Sequence, residues 1–273
     1  MNALPLVSAI LTTRNEERNI ANCLQSVKDQ SYPRIEVIVV DNHSSDNTVA
    51  IAQGFTDRVY IKGPGRCTQQ NFGVGEAQGK YILWLDADMM LSRNVVEECV
   101  NQCENSGYIG LCIPEKIVGT GFWIKVRAFE RSFYDGTCID VVRFVLRGSF
   151  LEIGGLDEAN VTFGADDWDF DRRIKEVGKT GTAEFPLYHN EWEFNLRRYL
   201  RKKSSYTESI NRYVEKWGKG DETVKKQVGA NYRLLGVFIE NGKWKELVKH
   251  PILTLGMYSL RCMVGITYLR RKR

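Results

Sequence analysis

The sequence predicts an α/β protein built on a mainly parallel, doubly wound sheet, with a helical C-terminal extension. Two observations predict it. Short apolar or β-branched runs alternate with helix-period segments through the first half of the chain. Polar residues able to do chemistry gather where those runs stop, which is where open α/β sheets bind their ligands.

Residues 6–11 read as the first strand, followed by a helix over 17–30 with an apolar stripe at Ile20, Leu24 and Val27. The β-branched run 35–40 is the second strand; it ends in Asp41, and Ser45 is placed to cap a short helix starting near Asp46. A third strand over 58–61, a helix over 68–77 and a strand over 81–85 complete the alternation. Beyond a helix over 95–105 the pattern loosens. It suggests a strand within 107–114, an aromatic-rich helix over 122–134, and strands over 141–146 and 183–187. From His189 onward it reads as helical and basic. The stretch GVGEAQG, 73–79, imitates a dinucleotide fingerprint. However, Gln78 stands where the third glycine belongs, and the stretch precedes a strand where the fingerprint follows one.

At 273 residues, 43% hydrophobic and 26% charged, the chain has enough apolar mass for one large domain or a domain with an appended tail. The first residues lack the basic region of a secretory signal. Seven cysteines, an odd number with no C-x-x-C, fit reduced thiols in a cytoplasmic protein better than a disulfide framework. Charge is unevenly spread. Residues 1–196 hold 19 Lys and Arg against 28 Asp and Glu, whereas residues 197–273 hold 19 against six. A basic tail on an acidic body suits an anionic surface or ligand, although a solvated face has the same composition.

Two acidic clusters carry the chemistry. In KYILWLDADMM, Asp86 and Asp88 flank the small Ala87 at the end of a core strand. If the chain stays extended there, both carboxylates point to one side. Like charges that close are relieved by a hard divalent cation, Mg²⁺ or Mn²⁺, which takes one or two carboxylates and leaves its other positions to water or phosphate. A solvated strand-end turn equally fits the stretch. In FGADDWDFDRRI, Asp166, Asp167, Asp169 and Asp171 surround a helix start, where acids also serve as caps and dipole partners. Phe170, Ile174 and Val177 form an apolar stripe, and Asp167 lies one turn before Phe170 on it, facing the interior or a cleft. A carboxylate there is costly unless paired or used, and its raised pKa would suit a general base. One acidic site suited to a metal and phosphates, with another suited to accepting a proton, matches group transfer from a nucleotide diphosphate donor.

The ordered set VSAILTTRNEERNIANCLQSV, IEVIVVDNHSSDNT, QNFGVGEAQGKYILWLDADM, FLEIGGLDE and FGADDWDFDRRI resembles the family 2 glycosyltransferases over residues 5–195. The resemblance implies the GT-A fold, a catalytic domain over 1–195 and a basic helical tail over 196–273. The donor half would cover about 1–110 and the acceptor half about 111–195. It also implies an inverting, hexosyltransferase-type activity. Carried over residue by residue, Thr12, Arg14 and Glu16 hold the nucleotide, Asp41 and Asn42 read base and ribose, and Asp86 and Asp88 form the D-x-D motif, with Asp88 the more direct metal ligand. Asp167 is the base of the "ED" motif, with Asp166 in the place of its usual Glu, and His189 lies near the metal or diphosphate, a structural histidine being the other reading. Many members carry Asp where Asn42 stands and Arg where Gln70 stands, and Arg66 is placed to supply diphosphate charge instead. The Q-x-x-R-W motif of processive relatives is absent, which favours transfer of a single sugar to a glycan or lipid-linked acceptor.

The closing HPILTLGMYSLRCMVGITYLRRKR contains 19 residues, 251–269, nearly long enough to span a bilayer, but Arg261 sits at their centre. A central Arg costs about 2.5–3.5 kcal/mol on insertion scales. With RRYLRKK (197–203) and the terminal RRKR, the tail instead suits an interfacial helix at the inner face of the cell membrane, a packed helix being the alternative. Nucleic acid is not expected, because no aromatic motif is interleaved with the basic residues. A sugar-phosphate nucleotidyltransferase is the enzymatic rival, but TTRNEE stands where its Gly-rich loop belongs. A degenerate, non-catalytic binding subunit is opposed by the intact Asp86, Asp88 and Asp167.

Overall fold

The computed structural model describes residues 3–271. The terminal pair Lys272 and Arg273, and the side chains of Arg270 and Arg271, part of the basic run expected to meet a membrane, lie outside what is described. The chain divides into two compact units. The first gathers the chain as far as Glu115 with Val141–Thr162 and Asp166–Asn190; the second gathers Lys116–Asp140, Phe163–Ala165 and the chain from Glu191 onward.

The strands, in chain order, are β1 (Val7–Thr13), β2 (Ile35–Asp41), β3 (Val59–Ile61), β4 (Tyr81–Asp86), β5 (Met89–Leu91), β6 (Gly110–Cys112), β7 (Glu115–Thr120), β8 (Val142–Leu146), β9 (Thr180–Thr182) and β10 (Leu187–Glu193). In the first unit seven of them form one sheet in the order β3-β2-β1-β4-β8-β6-β9. Neighbours β3-β2, β2-β1, β1-β4 and β6-β9 are parallel, and β8 runs antiparallel between β4 and β6.

Alternation along β1 explains why the sheet is covered on both sides. Val7, Ala9 and Leu11 join a core with Ile20, Leu24 and Val27 of the helix Ile20–Lys28 and with Val95, Val96 and Val100 of the helix Val95–Ser106. Ile10 joins the opposite core, with Val74 of the helix Arg66–Glu76 and with Phe170 and Ile174 of the helix Asp166–Val177. Full burial of each large aliphatic side chain contributes about 1.5–3 kcal/mol. Gly73 is required where that third helix meets β1, since a Cβ there would press on the Ile10 side chain. On β4, Ile82 and Trp84 face the second core while Leu83 and Leu85 face the first. The period of two therefore turns Asp86 toward the side covered by the helices that begin at Arg66 and Asp166. This alternation positions the site.

Several expectations need correction. The helix after β2 is Thr48–Gln53, and Asp46, not Ser45, accepts the Thr48 N–H at 3.0 Å. The expected strand over 183–187 does not form over 183–186, and Leu187 already belongs to β10. Pro186 cannot donate to a ladder, and Glu98 takes the N–H groups of Glu184 and Phe185 there. The ordered strand is β10, which pairs antiparallel with β5 (His189 opposite Met89), so the chain after His189 stays extended to Glu193 before the helices begin. Val177 is 40% exposed and not part of the buried stripe.

The second unit is mainly helical. Its core holds Val126 of the helix Phe122–Arg131, with Phe133, Tyr134, Val237, Phe238, and Met257 and Leu260 of the terminal helix Pro251–Arg271. Arg261 of that terminal helix turns inward and meets Glu130 at 3.0 Å. Tyr134 is buried against the same glutamate, at 2.6 Å. Among the described residues, no helix is long and apolar enough to cross a membrane.

Candidate functional site

The candidate site is built at the ends of β2, β1 and β4 in the first unit. Register places Thr13 beside Asp41 and Thr12 beside Asp86. Gln69 secures this edge from the helix above, donating to the carbonyls of Thr13 (3.0 Å) and Val40 (2.6 Å).

Arg66 is the centre of the arrangement. It opens its helix after Gly65, whose φ of +99° few side chains tolerate. Its Nη2 lies 2.7 Å from Asp166 and 2.9 Å from Asp167, and its Nη1 lies 3.6 Å from Asp86. One guanidinium thus joins carboxylates that lie as far as 101 positions from it in the sequence. Burial works against the charge on Arg66, but the three carboxylates more than restore it. Thr12 donates to Asp86 at 3.2 Å, and the Cys67 thiol donates to Asp166 at 3.4 Å.

The two acids of the helix start divide the environment. Asp166 lies four residues before Phe170, in line with Phe170 and Ile174, and its side chain is 0% exposed. Asp167, one position round the helix, is 30% exposed. The stripe therefore draws Asp166 inward and leaves Asp167 accessible at the rim. Burial pushes the Asp167 carboxyl above the ordinary carboxylate range; Arg66 pulls it down and Asp166 pushes it up, and the balance is upward. Asp169 and Asp171 have structural roles, paired with Arg173 at 2.9 Å and Lys175 at 2.6 Å.

Asp88 sits in the turn between β4 and β5, where Ala87 packs into the core. His189 Nε2 meets Asp88 Oδ2 at 3.1 Å, and its Nδ1 meets Glu115 at 2.9 Å. Arg143 in turn reaches Glu115 at 3.5 Å. Burial disfavours the charged imidazole, but Asp88 and Glu115 outweigh it and push His189 up to about 10. The other oxygen of Asp88, Oδ1, is buried without a hydrogen-bond partner among the described residues. A buried carboxylate oxygen in that state is suited to a cation. No group of three or more His, Cys, Asp and Glu side chains is gathered for a metal among the described residues. A hard divalent ion needs no more than one or two protein carboxylates when phosphate and water complete its shell, so the donor set fits.

The remaining expected residues are on the same edge of the sheet. Asp41 is fully buried and accepts the Ser44 N–H at 2.7 Å and the Ser44 hydroxyl, which shapes the loop after β2. Asn42 packs against Gly63, where any Cβ would collide with its amide. Glu16 accepts from Asn19 at 2.7 Å, and its N–H is held by Thr48 at 2.7 Å; Arg14 is exposed. Glu115, Arg143, Gln69 and Cys67 were not anticipated. Nothing in their local sequence marks them, because each acquires its partner from a distant part of the chain.

Comparison with known proteins supplies the context. The family model described as Glycosyl transferase family 2 matches residues 8–155. Among curated relatives, the Haloferax volcanii "Glycosyltransferase AglE" is 34% identical over 115 residues, covering 39% of this chain and 38% of its own length. The Streptococcus pneumoniae "Glycosyltransferase GlyG" is 30% identical over 107 residues, covering 36% and 35%. The matched stretch thus spans little more than a third of those relatives. Among solved structures, the Pyrobaculum calidifontis mannosyltransferase PcManGT in complex with GDP-Man and Mn²⁺ superposes with a TM-score of 0.64. It is 18% identical, and the match covers 100% of this chain and 89% of that one. S. aureus TarS in complex with UDP-GlcNAc superposes at 0.56 and 16% identity, over 95% and 81%. These likenesses establish the fold, which is GT-A.

Proposed function

This chain belongs to glycosyl transferase family 2, and from that premise we propose that it transfers a single sugar, with inversion, from a nucleotide-diphosphate donor to a hydroxyl of a glycan or lipid-linked acceptor. The observation that carries this reading is the meeting of Asp86, Asp166 and Asp167 on the single guanidinium of Arg66. It puts the accessible carboxylate of Asp167 beside the D-x-D edge, as a transfer site requires.

Asp167 is the general base. Its exposure admits an acceptor hydroxyl, and its raised pKa favours taking a proton as that oxygen attacks the anomeric carbon. Attack in line, on the face opposite the leaving group, inverts the configuration. Thr12, Arg14 and Glu16 at and beyond the end of β1 and Asp41 and Asn42 at the end of β2 hold the nucleoside. Arg66 exchanges part of its contact with the acids for the donor's diphosphate, whose oxygens suit a guanidinium fork. The holder of a Mg²⁺ or Mn²⁺ ion would be Asp88, with Asp86 beside it, and the ion would supply positive charge against the departing diphosphate. His189 orients Asp88; it would enter an ion's shell only after giving up a proton, since a metal-binding imidazole must present a free lone pair.

The test is a screen of nucleotide sugars with Mg²⁺ or Mn²⁺, following release of nucleoside diphosphate and capture of the glycosylated acceptor. Donor-specific release that disappears in Asp167→Asn, while the donor still binds, is the expected result. Release of pyrophosphate from a sugar phosphate and a nucleoside triphosphate would replace this reading with nucleotidyl transfer.

A further inference from the structure

The terminal helix Pro251–Arg271 presents an unusual outer face. Ile252, Leu255, Ser259, Cys262 and Ile266 follow one another at spacings of three and four, and all are exposed. Ile252 and Leu255 are each 71% exposed and Ile266 is 50% exposed. None of the five carries a charge. The one charged residue between Pro251 and Leu269 is Arg261, and it faces inward on Glu130 at 3.0 Å. A solvent-facing helix normally reverses this pattern, with its charges outside.

The preceding short helix Trp244–Lys249 also exposes apolar side chains, Val248 at 71% and Trp244 at 48%. Lys245 and Lys249 alternate with them and are exposed too, Lys249 pairing with Glu246 at 2.7 Å. Exposed tryptophan, aliphatic side chains and lysines gathered within one stretch of the chain have the composition of a membrane interface. There, rings and aliphatic chains enter the acyl boundary while ammonium groups stay among the headgroups.

We propose that this face of the second unit docks on an anionic lipid bilayer. The terminal helix would lie in the plane of the interface, with Ile252, Leu255 and Ile266 inserted, Trp244 and Val248 at the boundary, and Lys245 and Lys249 against phosphate headgroups. Charge decides for lipid over a second copy of the chain. Lys245 and Lys249 are exposed in the adjoining helix, and the stretch 197–273 holds 19 basic against six acidic side chains, so a self-complementary contact would set like charge against like charge. An anionic surface instead rewards each basic group near it. The inference depends only on the second unit and is independent of the reaction proposed above.

The experiment is flotation of the full chain with phosphatidylcholine vesicles, with and without phosphatidylglycerol, alongside sedimentation velocity without lipid. The wild-type chain should float with the phosphatidylglycerol vesicles and less so as salt rises. Ile252→Glu combined with Leu255→Glu should lower the bound fraction at least tenfold, and Lys245→Glu combined with Lys249→Glu should remove the preference for phosphatidylglycerol. Both pairs alter exposed side chains, so far-UV circular dichroism should match wild type. A wild-type chain that stays with the soluble fraction would overturn the proposal. So would vesicle binding unaffected by the Ile252 and Leu255 changes, or a lipid-free dimer that those changes disperse.

Discussion

Arg66→Gln is the perturbation that most directly probes the site. In the structure the guanidinium sits 2.7 Å from a carboxylate with 0% exposure and 2.9 Å from a second. At an effective dielectric of about 20, the shorter contact alone is worth roughly 6 kcal/mol of gross Coulomb attraction. Desolvation and repulsion between the acids consume much of it. Breaking a buried pair by removing one partner nonetheless costs about 3–5 kcal/mol, because the other charge stays behind. Arg66 is itself 16% exposed, which places the expected loss near the low end, about 3 kcal/mol. Urea unfolding followed by tryptophan fluorescence reads this directly. Trp84 lies edge-on to Phe170, 4.9 Å away, on the helix that Asp166 begins. Arg66→Gln combined with Asp166→Asn should recover most of the loss, since neither a buried charge nor its missing partner then remains. A second readout is the pH profile of kcat/KM. Without the guanidinium, Asp167 holds its proton more tightly, and the acidic limb should move toward higher pH by about 1–3 units. Stability within about 0.5 kcal/mol of wild type, with an unmoved limb, would refute the reasoning.

Three further outcomes follow from the same geometry. Asp167→Asn should lower turnover about 10²–10⁴-fold while donor affinity, read by calorimetry, changes little, because only the proton acceptor is lost. His189→Ala should raise the Mn²⁺ concentration for half-maximal rate about 10–100-fold through loss of the group orienting Asp88, with the KM for acceptor unchanged. In the second unit, Glu130 is held down to about 2, as the surrounding arginines outweigh its burial. A depressed carboxylate contributes stability above its unfolded pKa and loses it as pH falls through the folded one. The advantage of wild type over Glu130→Gln, about 3 kcal/mol at neutral pH, should therefore shrink between about pH 4.5 and pH 2 in denaturant titrations.

Much of the first unit was legible in the chain because its signals are local. The runs that became β1, β2 and β4 carry their own β-branched or apolar pattern, and the helices between them carry their own stripes. Legibility failed where a partner far along the chain decides. Residues 183–187 look like a strand, but Pro186 and the Glu98 carboxylate leave the ladder to β10. At the acidic helix start, a one-position difference in phase separated the buried Asp166 from the accessible Asp167, and packing of Phe170 and Ile174 resolved it.

By itself the sequence determined the order of strands and helices as far as β4, the two acidic clusters and their placement at strand and helix ends. All of these follow from periodicity and turn chemistry within a dozen residues. Only the tertiary structure decided that one arginine joins those clusters, that Glu115 backs His189 against Asp88, and that Arg261 turns inward and leaves an uncharged face on the terminal helix. The reason is physical. A charge takes the partner that burial brings within about 3–4 Å, and which partner arrives depends on how the sheet and helices pack, across separations that no local pattern encodes.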